Sequence, residues 1–153
     1  MVLRVCRATL GAADADDAWS ETFLSALRAY PSLPDDANIE AWLVTIAHRK
    51  AIDAIRAARR RPTPAPTETL DHGDARHQAA AEQLDPDLLT AVRALPDRQQ
   101  QSIAYHYIAG LAYKDVAAII GGTPEAVRRA AADGIATLRR SVDHPSKGPS
   151  HDR

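Results

Sequence analysis

The chain has 153 residues, a net charge of −1, 45% hydrophobic residues and only 5% aromatics. That length holds one ordinary domain or two small helical ones, and the apolar share excludes a wholly disordered chain. The near-zero charge excludes an overall basic field, although a local basic stripe can still make phosphate contacts. Alanine fills much of the apolar count, which leans the composition towards an all-α protein. Cys6 is the single cysteine, so neither an intramolecular disulfide nor a cysteine-built zinc site is available. The six histidines (His48, His72, His77, His106, His144, His151) lack the paired spacing of a metal-binding helix, and no cofactor is expected. No stretch approaches the ~18 apolar residues needed to cross a bilayer. The opening "MVLRVCRATL" is broken by Arg4 and Arg7, so it is no signal-peptide core. The expectation is a cytoplasmic protein without membrane insertion.

Residues 2–10 read as a short helix with Val2, Val5 and Leu10 inward. Next, "GAADADDAWSETFLSALRAY" is amphipathic, with Trp19, Thr22, Phe23, Ala26, Leu27 and Tyr30 on one apolar stripe. Asp14 reads as its N-cap, Asp16 and Asp17 suit the positive end of the helix dipole, and Pro31 and Pro34 end it. After the loop "PSLPDDAN", a long helix is predicted from Ile39 to Arg61. Its stripe is Ile39, Trp42, Leu43 and Ile46, while Ile52 and Ile55 lie nearly opposite Leu43. A helix with two apolar faces is embedded between neighbours or bends. His48, Arg49, Lys50, Arg56, Arg59, Arg60 and Arg61 crowd this helix against Asp53 alone.

Residues 62–84 hold three prolines in five positions and no run of large apolar side chains, which marks a linker. Beyond it, Leu88, Val92 and Leu95 line a helix beginning near Pro86. Pro96 opens another at its first position, with Ile103, Ala104, Tyr107 and Ile108 apolar and Gly110 closing it. "LAYKDVAAIIGGTPEAVRRAA" then has the layout of a helix-turn-helix. Ala117 is the small contact, Gly121 the turn, and Val116, Ile120 and Val127 the inward residues. Thr123 caps the second helix, Pro124 starts it and Glu125 lies in its first turn. The alternative for this stretch is an ordinary antiparallel helix pair; exposed Arg128 and Arg129 favour DNA. Residues 142–153 read as a disordered polar tail.

Two segments resemble one family. "DADDAWSETFLSALRAY" with "IEAWLVTIAHRKAIDAIRAARRR" looks like the promoter-melting domain of extracytoplasmic-function (ECF) sigma factors. "ALPDRQQQSIAYHYIAGLAYKDVAAIIGGTPEAVRRAAADGIATLRR" resembles the family's second conserved domain. The resemblance implies an all-α chain of two small helical domains: residues 1–61 for promoter melting and polymerase binding, a linker at 62–84, and a helix-turn-helix domain at 85–141. It implies core RNA polymerase and promoter DNA as partners, with an anti-sigma factor possible, and no enzymatic activity. The first domain would take the −10 element and the second the −35 element.

Carried over by position, Asp16, Asp17, Glu21 and Thr22 match the helix that docks on the polymerase clamp. An acidic face there complements a basic coiled coil and speeds encounter more than it adds affinity. Helix-dipole compensation is the plainer reading of Asp16 and Asp17, and both can hold. Phe23 and Trp42 read as core. Asn38, with Asp36, matches the loop receiving an unstacked base; a helix cap is the equal alternative for Asn38. Arg49, Lys50 and Arg56 are assigned to phosphates beside melted DNA, and the terminal arginines are left open. In the recognition helix Thr123, Glu125, Ala126, Arg128 and Arg129 are the DNA-facing set.

Two departures from the family stand out. The chain opens inside the family's first helix, so either its start lies upstream or the domain is trimmed. Ala130, Ala131, Ala132 and Asp133 replace the expected basic residues of the recognition helix, which weakens −35 binding or tunes it to an unusual sequence. Two rival readings follow: a helix-turn-helix regulator that dimerises through its first half, and a shortened sigma-like interaction protein.

Overall fold

The structure, a computed structural model, describes residues 1–61 and 84–143. Among these the secondary structure is helical throughout. α1 spans Val2–Thr9, α2 Ala12–Ala29 and α3 Ile39–Arg60, with a 3₁₀ turn at Tyr30–Ser32. In the second half come α4 (Pro86–Arg93), α5 (Asp97–Ile103), α6 (Tyr113–Ile120) and α7 (Pro124–Asp143). Nearly all of the predicted linker and tail lies outside the described residues, although α7 runs on to Asp143.

The first three helices pack on one another through small side chains. Val2, Cys6, Leu10, Ala15, Ala18, Ala47 and Ala51 are buried together, with Trp19, Leu43 and Ile55 at their edge. Alanines let helix axes approach closely, but they leave little apolar volume to hide. Larger side chains of α2 therefore stay outside. Leu27 is 72% exposed and Phe23, read from the sequence as core, is 38% exposed, its ring leaning on Trp19 at 5.3 Å. Trp42 is half-buried. The N-cap of α2 is Gly11 rather than Asp14, which sits within the first turn.

A second core gathers Leu89, Val92, Leu95, Ile103, Tyr105, Leu111, Val116, Val127 and Leu138, and it takes in Val5, Ala8 and Val44 from the first half. The two halves thus meet. α1 is the wedge between them, because Val2 and Cys6 point into the first core while Val5 and Ala8 point into the second. Burial, and then Asp16, pushes the Cys6 thiol up to about 12, so it behaves as a small apolar side chain. α3 does meet both cores, but not along the two predicted stripes: Leu43 and Ile55, expected on opposite faces, both pack on the first core, while Val44 and Ala41 face the second.

Two predicted faces shift in the second half. Leu88 is exposed and Leu89 is buried instead. Pro96 is the N-cap of α5 rather than its first residue. After Ile103 the helix widens into a π turn over Ala104–Ile108, closed by a hydrogen bond from the Ala109 amide to the Ala104 carbonyl. The extra residue in that turn rotates the register, so Tyr105 is buried and Tyr107 faces out. Regular helical spacing had placed Tyr107 on the apolar face.

Candidate nucleic-acid interface

The helix-turn-helix forms as its local sequence dictates. α6 ends where Gly121 and Gly122 take φ of +87° and +92°, a region that side chains with a Cβ resist. A Cβ on Gly122 would also collide with the Arg98 guanidinium, which donates to the Gly121 carbonyl at 2.7 Å. The Thr123 hydroxyl accepts from the Ala126 amide at 3.2 Å, capping α7, and Pro124 occupies its first position. Val116 and Val127 are fully buried where the helices cross, with Ala117 beside them. Further along α7, Gly134 lets the helix lie on α5: a Cβ there would stand 2.6 Å from Ile103 Cδ1.

On the outer side of α7, Glu125, Arg128, Arg129, Ala132 and Asp133 are exposed, and Ala126 is half-buried. Arg128 and Arg129 are the long cations of the first three turns; Arg139 and Arg140 come only near the end. Arg128 does not simply extend into water. Its guanidinium carbon lies 5.4 Å from the centroid of the Tyr113 ring. Tyr113 stacks on His106 at 3.8 Å and 16°, and His106 Nδ1 is 2.7 Å from the Leu111 carbonyl, so it carries the proton and donates. Burial and the neighbouring Tyr107 hydroxyl raise the Tyr113 phenol pKa, while Arg128 pulls it the other way.

The first-half residues divide. Asn38 caps α3, its side-chain oxygen accepting from the Ala41 amide at 3.1 Å. Arg49 and Arg56 are exposed on α3, but Lys50 is half-buried and leans towards α2, 3.8 Å from Glu21. Asp16 lies 3.6 Å from Arg7, and Asp17 is exposed. Both ion pairs are loose and solvated, so each contributes little. Asp14, Asp17, Glu21, Lys50, Asp53 and Arg61 line an open cleft of ≈ 370 Å³ between α2 and α3. Thr22 is a correction. It is fully buried, and its hydroxyl donates to the Ala18 carbonyl at 2.6 Å, so it meets no docking partner. The threonine faces the same side as Ala18 and Ala26, one step round from the acidic face.

His48 also leaves the basic group. It turns to the seam between the halves, where its Nδ1 is 2.7 Å from the Tyr105 hydroxyl and the rings meet edge-on. Burial, then the nearby Arg49 charge, lowers the His48 pKa. Burial raises that of Tyr105, so a protonated phenol donates to a neutral imidazole. At the same seam Arg93 donates to the Arg7 carbonyl at 2.8 Å.

Sequence reasoning missed Tyr113, His106, Arg98 and Gly134. The His106–Tyr113 interval of seven residues was a readable hint, but Gly110 and the π turn between them hide whether the rings meet. Arg98 lies 23 residues from the carbonyl it binds, and nothing local announces that contact.

Residues 1–61 match the family model Sigma-70 region 2, and residues 86–138 match Sigma-70, region 4. The chain is 31% identical over 155 residues to the ECF RNA polymerase sigma factor SigD of Mycobacterium tuberculosis, covering 93% of this chain and 72% of that one. The chain belongs to the ECF sigma factor family. It is also 31% identical over 135 residues to the ECF RNA polymerase sigma factor BldN of Streptomyces coelicolor, covering 85% of this chain. It spans about half of that relative's length, 51%. A similar fold occurs in the Bartonella quintana sigma factor RpoE, solved in complex with the anti-sigma factor NepR. The TM-score is 0.70 at 20% identity, covering 92% of this chain and 89% of that one. The family resemblance read from the two sequence segments, in their order, is thereby borne out.

Proposed function

We propose that the chain binds core RNA polymerase and directs it to promoters, without covalent chemistry of its own. The observation that carries this reading is the helix-turn-helix, capped at Thr123 and locked by Val116 and Val127, with Arg128 and Arg129 on its outer face. Residues 85–141 would read the −35 element through Thr123, Glu125, Ala126, Arg128 and Arg129. Residues 1–61 would dock on polymerase through Asp16, Asp17 and Glu21 and hold the −10 region through Asn38, Arg49, Lys50 and Arg56. The exposed apolar residues of α2, Phe23, Leu24 and Leu27, extend the docking face. The reading also places the protein in the cytoplasm; among the described residues no helix is long and apolar enough to cross a membrane. An anti-sigma factor is proposed as a further partner, by analogy with the RpoE complex.

The shared core sets a condition on this function. The two elements lie about 25 base pairs apart, or roughly 85 Å at 3.4 Å per step. A compact chain of 153 residues is only about 40 Å across. The seam must therefore open before both elements are held at once. The chain between Arg61 and Leu84 can reach about 80 Å when extended, so the tether permits it.

In vitro transcription with core polymerase and a promoter library tests the reading. Start-site-specific transcripts that depend on this chain are expected. Polymerase binding without transcripts would favour the shortened interaction protein, and a stable dimer on DNA without polymerase would favour the regulator.

A further inference from the structure

The recognition helix is sparing with long side chains. Ala126, Ala130, Ala132 and Ala136 are too short to reach far into a groove, and Asp133 carries the wrong charge for phosphate. Of the long side chains left, Glu125, Arg128 and Arg129, only the two arginines can make the forked contact with a guanine edge. An arginine reads guanine best when its planar fork is already aimed, because a free side chain gives up rotamer entropy on ordering. Arg128 has a platform that can aim it. The Tyr113 ring lies within cation–π distance of the guanidinium. The platform is itself held, by the stack on His106 and by the bond from His106 to the Leu111 carbonyl. His106 also meets Tyr107 edge-on at 4.8 Å. The aromatic group thus runs from the π turn through the start of α6 to the outer face of α7.

We propose that Tyr113 is a positioning residue for promoter reading: its ring holds the Arg128 guanidinium in the direction that presents it to a guanine edge. The inference rests on the proposed −35 reading by α7. It makes Tyr113, on the first helix of the motif, a determinant of base preference exerted through Arg128.

The test is selection of upstream elements from a randomised promoter pool by polymerase carrying wild type, Tyr113→Phe, Tyr113→Leu, Arg128→Lys, Arg128→Ala, or Tyr113→Leu with Arg128→Ala. Melting curves are recorded for each. Tyr113→Phe keeps the ring and is expected to match wild type. Tyr113→Leu should lower the preference for guanine at one position about five- to tenfold, the scale of one cation–π contact plus part of a bidentate base pair. Its affinity for promoters with scrambled upstream elements should not change. Arg128→Lys, on an exposed position that leaves folding alone, keeps the charge and loses the fork, and should show the same loss. The double variant should be no worse than Arg128→Ala. If Tyr113→Leu or Arg128→Lys selects like wild type, or if Tyr113→Phe falls as far as Tyr113→Leu, the positioning role is wrong while the promoter reading stands. A wild type with no upstream preference overturns both.

Discussion

The two cores of this chain are built on opposite economies of side-chain size. In α1–α3 the buried residues are mostly alanine and valine, and the large apolar side chains Phe23, Leu24, Leu27, Tyr30 and Ile39 stay exposed. In the second half, residues 84–143, the large side chains Ile103, Tyr105, Leu111 and Leu138 are inside, and the outer face of α7 offers arginines and alanines. Close helix approach through alanine leaves big side chains over for a partner. Interdigitation of big side chains leaves fewer of them outside, although Leu88, Tyr107 and Val142 remain exposed. The contrast follows from which residues fill each core, and it agrees with the proposed division of polymerase docking to the first half and DNA reading to the second.

The largest test of that contrast pairs two leucine truncations. Leu111→Ala, from a site 2% exposed, should cost about 2–5 kcal/mol and lower the melting temperature by some 5–15 °C. Leu27→Ala, from a site 72% exposed, should stay within about 0.5 kcal/mol while weakening polymerase binding. Equal melting losses would show that the first half hides more apolar surface than its alanine core suggests.

At the seam the effect should be smaller. Tyr105→Phe keeps the ring but removes the donor to His48, for an expected loss of about 1–2 kcal/mol in thermal or urea unfolding. Unchanged stability would mean the hydroxyl contributes nothing net. Smaller again is the cap on α3: Asn38→Ala should cost about 1 kcal/mol and Asn38→Asp much less. A cap role alone predicts that promoter opening by Asn38→Asp equals wild type, whereas a base-pocket role predicts a loss without a change in melting.

The pH response is the smallest and has a definite sign. His48 titrates lower in the folded chain than in the unfolded one, so between the two values the unfolded chain binds more protons. Its contribution is complete above the ordinary histidine value of about 6.5 and falls away as pH drops through the folded value. Tyr105, the hydroxyl partner, and Arg49, the neighbouring charge, face this imidazole. His48→Gln should flatten the slope of melting temperature with pH in that window; an unaltered slope would assign it elsewhere.

Much of the second half was legible because its signals are local. Thr123, Pro124, Gly121 and Gly122 act on dihedral angles and caps within a few residues, and they do so whatever the rest of the chain does. The same holds for Asn38 at the start of α3 and for Gly110 at the end of the π turn. Where an apolar residue could face two ways, the sequence was misleading. Leu88 and Leu89 are adjacent and equally apolar, and only the position of α7 and α1 decides which is buried. Tyr105 and Tyr107 exchange places because one π turn resets the register. Thr22 reads as part of a docking face, but it is fully buried on the side of α2 that carries Ala18 and Ala26.

From the sequence by itself came the helices, the turn, the order of the two halves and the family, since dihedral preference, capping and periodicity need no distant partner. Only the tertiary structure decided that the halves share a core through α1, that His48 faces Tyr105 rather than phosphate, and that Tyr113 lies against Arg128. Those contacts join residues 15 to 57 positions apart or more. Which of several apolar or basic faces meets which is settled by close packing in three dimensions, and that information resides in no single stretch of the chain.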